Sequence, residues 1–448
     1  MRVLLLSYYF PPTGGAAAQR PMQLARHLVE RRHELVVVTA PGPAQGRWTP
    51  ADPTLVSRLP SEVEIHRVPG PEPHGATGWT SRAERWLGRR SAWADWWIDG
   101  AFRVARDVSA GAEVIYAVLS PYETAAAAGA LARELGLPWV PDLGDPWVLD
   151  DMMVYPTGLH RRVALREMSR GLRSAAAIVM STPDAVARVD EALPELAGTH
   201  VVPIANGYDR RDFDLEDTYP PRPEDGVLRI VHTGYLHTEM GRSQRRTEVL
   251  RRLLGGGSPG VDIMTRSHVY LLRAVNNIIA REPELGKRIE VHLAGVTTAS
   301  DEQIALGCPA VRLRGYLPHA ESVALVRSAD LLFLPMQKLA NGRRAGNVPG
   351  KTYEYLASGR PILAAVPPGD ARDLLLRAGA AYVCEPDDVE SMERILLENL
   401  RARVDGVPPP RRDTSVTVEY SWSHRADAII DLLEKTVGSV TPRSQQTA

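Results

Sequence analysis

The stretch VPGKTYEYLASGRPIL, residues 348–363, holds a loop, a helix and a strand in close succession. Residues 351–358 have helical spacing, and Gly359 directly after them is the residue type that ends many helices in a left-handed conformation. The apolar run 362–365 then indicates a buried strand. A helix that leads into a buried strand is typical of an α/β fold with a parallel sheet.

The same alternation continues on both sides of this stretch. In the first half we predict strands at 3–6, 35–39, 113–119, 139–142 and 177–181, and helices at 17–30, 124–135 and 161–173. In the second half we predict strands at 227–231, 289–293, 311–313, 331–334 and 381–383, and helices at 267–281 and 320–327. A polar, proline-containing stretch after residue 213 is typical of a linker. We therefore predict one α/β domain at 1–207 and a second at 208–415, each of ordinary domain size.

Two segments depart from this alternation. Residues 237–262 contain five arginines and a glycine-rich run, and we predict a mobile insertion there. An amphipathic helix is predicted within 416–437, and the polar tail 438–448 is expected to be disordered.

Composition excludes several classes of protein. The chain has 53 Lys+Arg against 54 Asp+Glu, which argues against a dedicated nucleic-acid binder. Two cysteines cannot supply a disulfide framework or a structural zinc site, so a reducing cytoplasm is the expected location. The sequence has no apolar run long enough to cross a bilayer. No metal-ligand spacing is found among the histidines, and Asp212-Phe213-Asp214, which spells D-x-D, lies in the linker and is interpreted as structural.

Four segments together resemble family-four glycosyltransferases, in the right order along nearly the whole chain. They are SYYFPPTGGAAAQRP at 7–21, PDLGDPW at 141–147, VVPIANGYDRRDF at 201–213 and the stretch at 348–363. The second is similar to a segment of the exopolysaccharide branch. The resemblance implies the GT-B fold, in which two Rossmann-like domains face each other across a cleft and the C-terminal helix crosses back to the N-terminal domain. It also implies a cytoplasmic, metal-independent transferase of the hexosyl type that retains anomeric configuration, uses a nucleotide-diphosphate sugar and needs no cofactor.

The donor site implied by the resemblance lies in the C-terminal domain. Glu354 corresponds to the family glutamate that binds ribose, whereas Gly346 stands where the first glutamate of that E-x7-E pair would be. Lys351 is expected to supply positive charge to the diphosphate, helped by the loop from Asn347 to Gly350. Charge-assisted bonds of this kind contribute about 1.5–3 kcal/mol each.

A second cation is expected after the first strand of the C-terminal domain, which ends at Tyr235. When the insertion is skipped, Arg266 is the best match to the family's phosphate-binding position, and we predict that it stabilises the leaving diphosphate. Arg242, Arg245 and Arg246 are rivals within the insertion.

Further candidates lie in the N-terminal domain. Gly14 and Gly15 follow the first strand, so their backbone could approach a phosphate or sugar closely, and we expect their N–H groups to bind the donor diphosphate. Arg20 behind them is a candidate phosphate or acceptor contact, or a surface residue of the helix. Asp145 and Trp147 follow a predicted parallel strand at its C-terminal end, where ligands bind in open α/β sheets. Asp145 could contact the acceptor or accept its proton, or it could cap the next element. The acceptor itself could be a sugar, a lipid-linked sugar or a small molecule.

Three further interpretations remain open. The chain could be a sugar-nucleotide epimerase of the same architecture, or a catalytically inactive scaffold, which the missing first glutamate would favour. Trp86, Trp93 and Trp97 have helical spacing near several arginines, so they could form a stripe for peripheral membrane contact, or they could pack inward as core.

Overall fold

The computed structural model describes residues 1–42, 50–73, 86, 89–213, 225–256, 260–379, 381–407 and 415–440. The chain divides into two compact units. The first contains Met1–Asn206, Leu254–Gly256 and the chain from Trp422, and the second contains Gly207–Leu253 and Gly257–Ser421. Both units are α/β units built on a parallel sheet, as the sequence predicts.

The first unit is built on a seven-stranded parallel sheet of strand order β3-β2-β1-β4-β5-β6-β7. Its strands are β1 (Arg2–Ser7), β2 (Glu34–Thr39), β3 (Glu64–Arg67), β4 (Val114–Val118), β5 (Trp139–Leu143), β6 (Ala177–Met180) and β7 (His200–Pro203). Its helices are α1 (Ala16–Glu30), α2 (Ala92–Asp107), α3 (Thr124–Leu135), α4 (Gly158–Leu172) and α5 (Pro183–Ala192). Central strands are buried on both faces, which explains their continuous apolar runs.

The last helix of the chain, Trp422–Val440, belongs to the first unit. Ile429 and Leu433 enter the same apolar core as Leu24 and Leu28 of α1. Ion pairing of Arg31 with Asp427 joins the two helices at their exposed edge. The helix extends past its predicted end at residue 437, and the tail from 441 lies outside the described residues.

The second unit is built on a six-stranded parallel sheet of strand order β11-β10-β8-β12-β14-β15. Its strands are β8 (Leu228–Thr233), β10 (Ile289–Ala294), β11 (Val311–Gly315), β12 (Leu331–Pro335), β14 (Ile362–Ala365) and β15 (Ala381–Cys384), while β9 (Val261–Asp262) and β13 (Lys338–Leu339) pair separately and antiparallel. Its helices are α6 (Thr238–Leu254), α7 (Val269–Arg281), α8 (Pro283–Gly286), α9 (Ala299–Ala305), α10 (His319–Ser328), α11 (Lys351–Ala357), α12 (Asp370–Arg377), α13 (Val389–Val404) and α14 (Ser415–Val418).

Residues 237–262, expected to be a mobile insertion, instead form α6 and β9. Gln244 bridges the two elements, since its amide donates to Val261 O and accepts from Ile263 N–H at 2.9 Å. Arg245 pairs with Asp262 at 2.6 Å. The two elements of the segment are therefore joined by side chains that composition alone does not distinguish from solvated ones.

The tryptophan stripe expected at a membrane is part of the core. Trp97 is fully buried, and its Nε1 donates to Thr124 Oγ1 at 3.0 Å. Trp93 packs against the same core and donates to Tyr8 Oη at 3.3 Å, whereas Trp86 is 54% exposed. The prediction of one lipid-facing stripe is therefore wrong, because its second and third members satisfy their indole N–H groups inside the first unit.

Candidate functional site

In the second unit the strand order reverses direction between β8 and β12, which are adjacent and parallel. Open α/β sheets bind ligands at such a switch point, beyond the carboxyl ends of the strands. His232 lies near the end of β8, Gly234 and Gln337 lie in the segments that follow β8 and β12, and the amino end of α11 brings Lys351 to the same place.

Lys351 is held by a buried histidine of β8. His232 is 2% exposed, its Nδ1 lies 2.9 Å from Phe333 O on β12, and its Nε2 lies 3.2 Å from Lys351 Nζ. A carbonyl oxygen can only accept, so Nδ1 carries the proton and Nε2 offers a lone pair to the lysine. Burial lowers the pKa of His232 well below its ordinary value, helped by the charge of Lys351, so the ring stays neutral.

Two glycines make room for this lysine. Gly234 has φ +104°, and a Cβ there would lie 2.7 Å from Lys351 Nζ. Gly295, at the end of β10, has φ +145° and would bring a Cβ within 2.4 Å of Gly234 O. Any larger residue at either position would disturb the close approach of backbone and ammonium group.

Burial, together with the neighbouring charge of Arg266, lowers the pKa of Lys351 to about 7, although Glu354 opposes both effects. The side chain of Lys351 is half-buried rather than fully buried, so water and ligands can reach it. The group therefore changes charge close to neutral pH, and a bound anion would favour its charged form.

Arg266 is oriented by two buried amides. Its Nη1 donates to Gln337 Oε1 at 3.3 Å, and Gln337 Nε2 donates to Asn347 Oδ1 at 3.3 Å. Gln337 is 0% exposed and Asn347 is 4% exposed. The structure thus brings Arg266, Asn347 and Lys351 together, as the resemblance implied, and Gln337 connects the first two.

Helix α11 is fixed to the strand end by Tyr355. Thr233 N–H donates to the Tyr355 hydroxyl oxygen at 2.9 Å, and burial raises the pKa of that phenol well above its usual range. Glu354 lies half-buried in the first turn of α11. This anchor sets where both charged residues of the helix stand relative to β8.

Two backbone N–H groups at the start of α11 are bonded within the chain. Thr352 N–H donates to Pro349 O at 2.9 Å and Tyr353 N–H donates to Gly350 O at 3.2 Å, so these two groups close turns of their own chain. Gly350 has helical φ −54°, and a Cβ there would meet nothing within 4 Å.

Tyr235 and Gly346 lie on flanking segments of the second unit. The ring of Tyr235 is half-buried and meets the His237 ring edge-on at 5.2 Å between centroids. Gly346 is buried, next to the bridge between Ala345 and Gly369.

In the first unit the corresponding switch point lies between β1 and β4. Gly15, with φ +83°, is the residue from which α1 begins, which accounts for a glycine there. Gly14 is buried and its N–H donates to Pro50 O at 2.7 Å. The expectation that Gly14 offers its N–H to a diphosphate is therefore wrong, because that N–H is already bonded inside the chain.

Arg20 is a buried structural residue rather than an acceptor contact. It is 5% exposed, its Nε lies 2.5 Å from Asp142 Oδ2, and its other nitrogens donate to Ile204 O and Ala205 O, both at 3.0 Å. Tyr116 donates to the same carboxylate oxygen at 2.6 Å. Burial by itself would lower the pKa of Arg20, but Asp142 and Tyr116 raise it above its ordinary value, so the pair is ionised.

Asp145 and Trp147 lie where β5 ends, as predicted. Asp145 is exposed, and Trp147 adopts a left-handed φ of +50° with its ring stacked on Tyr122, 4.9 Å away and 3° from parallel. A non-glycine residue in this conformation is strained, and such strain is common at functional sites. A Cβ at Gly144 would meet nothing within 4 Å.

Asp212 of the D-x-D sequence has a structural role. Its carboxylate lies 2.8 Å from His319 Nε2, and its carbonyl accepts from Arg327 at 3.1 Å. Asp214 lies outside the described residues. In the part of the chain that the structure describes, no group of three or more His, Cys, Asp or Glu side chains is arranged to hold a metal ion.

Comparison with known protein families identifies two domains in this chain. Residues 15–207 match the glycosyl transferase 4-like domain, and residues 262–401 match the glycosyl transferases group 1 domain. The chain therefore contains a domain of each of these two glycosyl transferase types. No curated protein matches the sequence.

Solved structures of the GT-B fold are similar to this chain over nearly its whole length. Sucrose-phosphate synthase from Thermosynechococcus elongatus has a TM-score of 0.59 at 13% identity, with 98% of this chain and 99% of that chain covered. Anabaena HepE in complex with UDP and glucose has a TM-score of 0.54 at 14% identity, with 98% of each chain covered. A protein from Listeria monocytogenes that is assigned as a UDP-N-acetylglucosamine 2-epimerase has a TM-score of 0.54 at 12% identity, with 98% of this chain and 97% of that chain covered. At these identities the likeness shows the fold, which transferases and an epimerase share.

Three residues of this site were not predicted from the sequence. In the sequence, His232 resembles an ordinary strand residue, Gln337 a loop amide, and Gly295 a glycine that ends a strand. Only their position could have identified them, because each follows or ends a parallel strand next to the switch point, where ligands bind.

Proposed function

We propose that the protein transfers a sugar from a nucleoside-diphosphate sugar to an acceptor hydroxyl. One observation carries this proposal: Lys351 and Arg266 converge at the switch point of the second unit, where each is oriented by a buried neutral partner. Two cations at the carboxyl ends of parallel strands suit a diphosphate.

Each residue of the site then has a role. Lys351 and Arg266 bind the diphosphate and stabilise the charge that develops on it as the sugar leaves. Glu354, in the same short helix as Lys351, accepts hydrogen bonds from the ribose hydroxyls. Asn347 orients Arg266 through Gln337, and Tyr235 and Gly350 line the donor side.

The chemical step needs no further co-reactant. The bond from the anomeric carbon to the phosphate oxygen breaks, a bond from that carbon to the acceptor oxygen forms, and the acceptor proton passes to a phosphate oxygen of the leaving group. Because attack and proton transfer occur on the same face, the anomeric configuration is retained. The two side-chain cations stabilise the leaving diphosphate, so we expect turnover without a divalent metal.

The acceptor is assigned to the first unit. Asp145 and Trp147, at the exposed carboxyl end of β5, are the proposed acceptor contacts. Gly15, close to the end of β1, is a proposed contact of the donor diphosphate. Products of this class would be polysaccharides, glycolipids or glycosylated natural products.

A thermal-shift screen against a panel of nucleoside diphosphates tests donor binding directly, because a ligand of the folded state raises the unfolding temperature by mass action. The nucleotide found in this way is then supplied as its sugar conjugates. Release of free nucleoside diphosphate in the presence of EDTA is the result expected of a metal-independent transferase. Stabilisation without any release would favour an inactive scaffold, and conversion of the sugar with the nucleotide still attached would favour an epimerase.

A further inference from the structure

Arg67, the last residue of β3, is a half-buried cation at the carboxyl edge of the first sheet. Its Nη1 donates to Ala40 O at 3.0 Å, and its Nη2 donates to Pro11 O at 2.7 Å. Ala40 directly follows β2, and Pro11 lies in the loop that follows β1. The guanidinium group therefore lies beyond the ends of these strands, at the edge where open α/β sheets bind their ligands.

The charge of Arg67 is not balanced by a carboxylate. Both of its hydrogen bonds go to neutral carbonyl oxygens, and it forms no ion pair with any residue that the structure describes. Other arginines of this unit do pair, Arg188 with Asp151 at 2.7 Å and Arg26 with Glu30 at 3.3 Å. Burial lowers the pKa of Arg67, yet a guanidinium group stays charged at every physiological pH. Because a half-buried charge without a partner is costly, such a cation at a ligand-binding edge is a candidate for anion recognition.

The loop that Arg67 contacts is also held by its own backbone. Thr13 N–H donates to Phe10 O at 3.0 Å, and Gly14 N–H donates to Pro50 O at 2.7 Å. A guanidinium group has five N–H donors, of which the two carbonyl oxygens use two. Three donors thus remain on a side chain that is half-buried rather than enclosed. The two carbonyl contacts fix the direction in which these donors point, so the group is oriented before any ligand arrives.

Arg67 shares this edge with the proposed acceptor contacts. Asp145 and Trp147 follow β5, which is separated from β2 by β1 and β4. Neighbouring strands lie about 4.8 Å apart, so the ends of β2 and β5 are about 14 Å apart. An acceptor that reaches both ends would carry its anionic group well away from the hydroxyl that reacts. A phosphorylated sugar or a short acidic oligosaccharide suits this spacing.

We propose that the acceptor is an anionic saccharide and that Arg67 binds its phosphate or carboxylate group. The planar guanidinium group can donate two parallel hydrogen bonds to either oxyanion, which gives recognition in one orientation. A neutral acceptor would leave the charge of Arg67 unpaired. This assignment rests on the proposed sugar transfer, because it names the class of substrate that receives the sugar.

Calorimetric titration of the full-length chain without donor tests the assignment. The probes are glucose, mannose and galactose, each as the sugar phosphate, the uronic acid and the uncharged sugar. At least one charged probe should bind the wild type about tenfold or more tightly than its uncharged parent, and the comparison of phosphate with uronic acid shows which oxyanion is preferred. Arg67→Met should weaken that binding about 10- to 150-fold, because charge-assisted hydrogen bonding is lost. Arg67→Lys keeps the charge but not the planar fork and should bind with intermediate affinity.

Arg103→Met is the matched control. Arg103 is exposed on α2, and its Nε donates to the carbonyl oxygen of Asp99 at 3.2 Å. The control removes the same charge and a similar carbonyl contact, so it should bind the probes like the wild type. Unfolding temperatures show which variants are folded. Arg67→Gln, which can still donate to one carbonyl oxygen, gives the same measurement if Arg67→Met does not fold.

Three results would overturn the proposal. The first is that no charged probe binds the wild type more tightly than its uncharged parent. The second is that Arg67→Met lowers the unfolding temperature but leaves affinity for the charged probe unchanged, which would make the arginine a tie between loops. The third is that Arg67→Met weakens binding of a nucleoside diphosphate instead, which would make it a donor contact. Failure of the wild type to bind any nucleoside diphosphate would count against the proposed function, whereas the sugar titrations need no donor and test Arg67 separately.

Discussion

Lys351 Nζ lies 3.2 Å from His232 Nε2, and the opposite ring nitrogen of that histidine lies 2.9 Å from Phe333 O. The second contact fixes the proton on Nδ1, so the first supplies a lone pair to the lysine. A neutral buried residue thereby directs a cation without neutralising it, and the positive charge remains available to an anionic ligand. Burial and the charge of Arg266 lower the pKa of this lysine to about 7, so the proposed donor site is sensitive to pH near neutrality.

We predict that affinity for a nucleotide sugar falls as pH rises through about 7. The free protein loses the ammonium charge of Lys351 above its pKa of about 7, whereas the diphosphate of a nucleotide sugar has no proton to gain or lose in this range. The limiting slope is about tenfold in the dissociation constant per pH unit. Calorimetric titration between pH 6 and pH 9 measures it. In Lys351→Arg the cation persists, so a profile that still slopes in that variant would contradict the assignment.

His232→Leu removes the hydrogen-bond acceptor for Lys351 and fills its place in the core with an apolar side chain. We expect nucleotide-sugar affinity to fall roughly three- to tenfold, because one net hydrogen bond is worth about 0.5–1.5 kcal/mol. The loss should also shift the pH midpoint downward, since the ammonium form loses its partner. His232→Gln can present an oxygen near the position of Nε2 and should restore the midpoint. An unchanged midpoint in His232→Leu would mean that the histidine only packs.

Gly234→Ala should weaken donor binding at least about tenfold and cost about 1–3 kcal/mol of folding free energy, because φ +104° strains alanine and the new Cβ displaces Lys351 Nζ. Urea unfolding and nucleotide titration measure the two effects. Gly295→Ala, which meets backbone at 2.4 Å, should lose more stability. Gly350→Ala, whose Cβ would stand in open space, should fold like the wild type to within about 0.5 kcal/mol. If Gly234→Ala bound donor normally, the close approach of Gly234 to Lys351 would have no role in binding.

The parallel architecture could be predicted because buried strands and amphipathic helices have a local signature. The helix at 124–135 was predicted with the bounds that the structure gives, and Ile362–Ala365 forms the strand expected after the donor loop. The segment 237–262 could not be predicted, because the contacts of Gln244 and Arg245 that hold it involve residues about 17 positions away. Composition shows that such residues are polar but does not show whether they have partners.

The residues of the candidate sites also differ in how well the sequence could predict them. Lys351, Glu354 and Arg266 follow from motif position, and the structure places them on adjoining segments. Arg20 lies in the same kind of motif, but nothing in the sequence indicates that it forms an ion pair with Asp142, which lies 122 positions later. Charge alone does not distinguish a ligand contact from a buried ion pair, because the difference lies in what the fold brings alongside.

Glu354→Gln should weaken binding of a nucleoside diphosphate roughly 10- to 150-fold while the unfolding temperature stays unchanged. A hydrogen bond to a charged group contributes about 1.5–3 kcal/mol and one between neutral groups about 0.5–1.5 kcal/mol, so exchanging the carboxylate for an amide at two such bonds should cost about 1.5–3 kcal/mol in total. Glu398→Gln, which changes an exposed helix carboxylate paired with Arg394, is the matched control and should bind like the wild type. Equal affinity in Glu354→Gln and the control would remove Glu354 from the donor site.

Arg20→Met is expected to cost about 3–5 kcal/mol of folding free energy, because it leaves the Asp142 carboxylate buried without its partner. Arg20→Met combined with Asp142→Asn should recover part of that loss, since the double variant removes the unpaired charge as well. Urea unfolding of the two single variants and the double variant measures the coupling. Arg394→Met, which breaks an exposed ion pair, should cost about 0.5 kcal/mol or less. If Arg20→Met instead unfolded at the wild-type urea concentration and lost only turnover with acceptor, the arginine would be an acceptor contact after all, and the buried pair with Asp142 would have no part in holding α1 to the sheet.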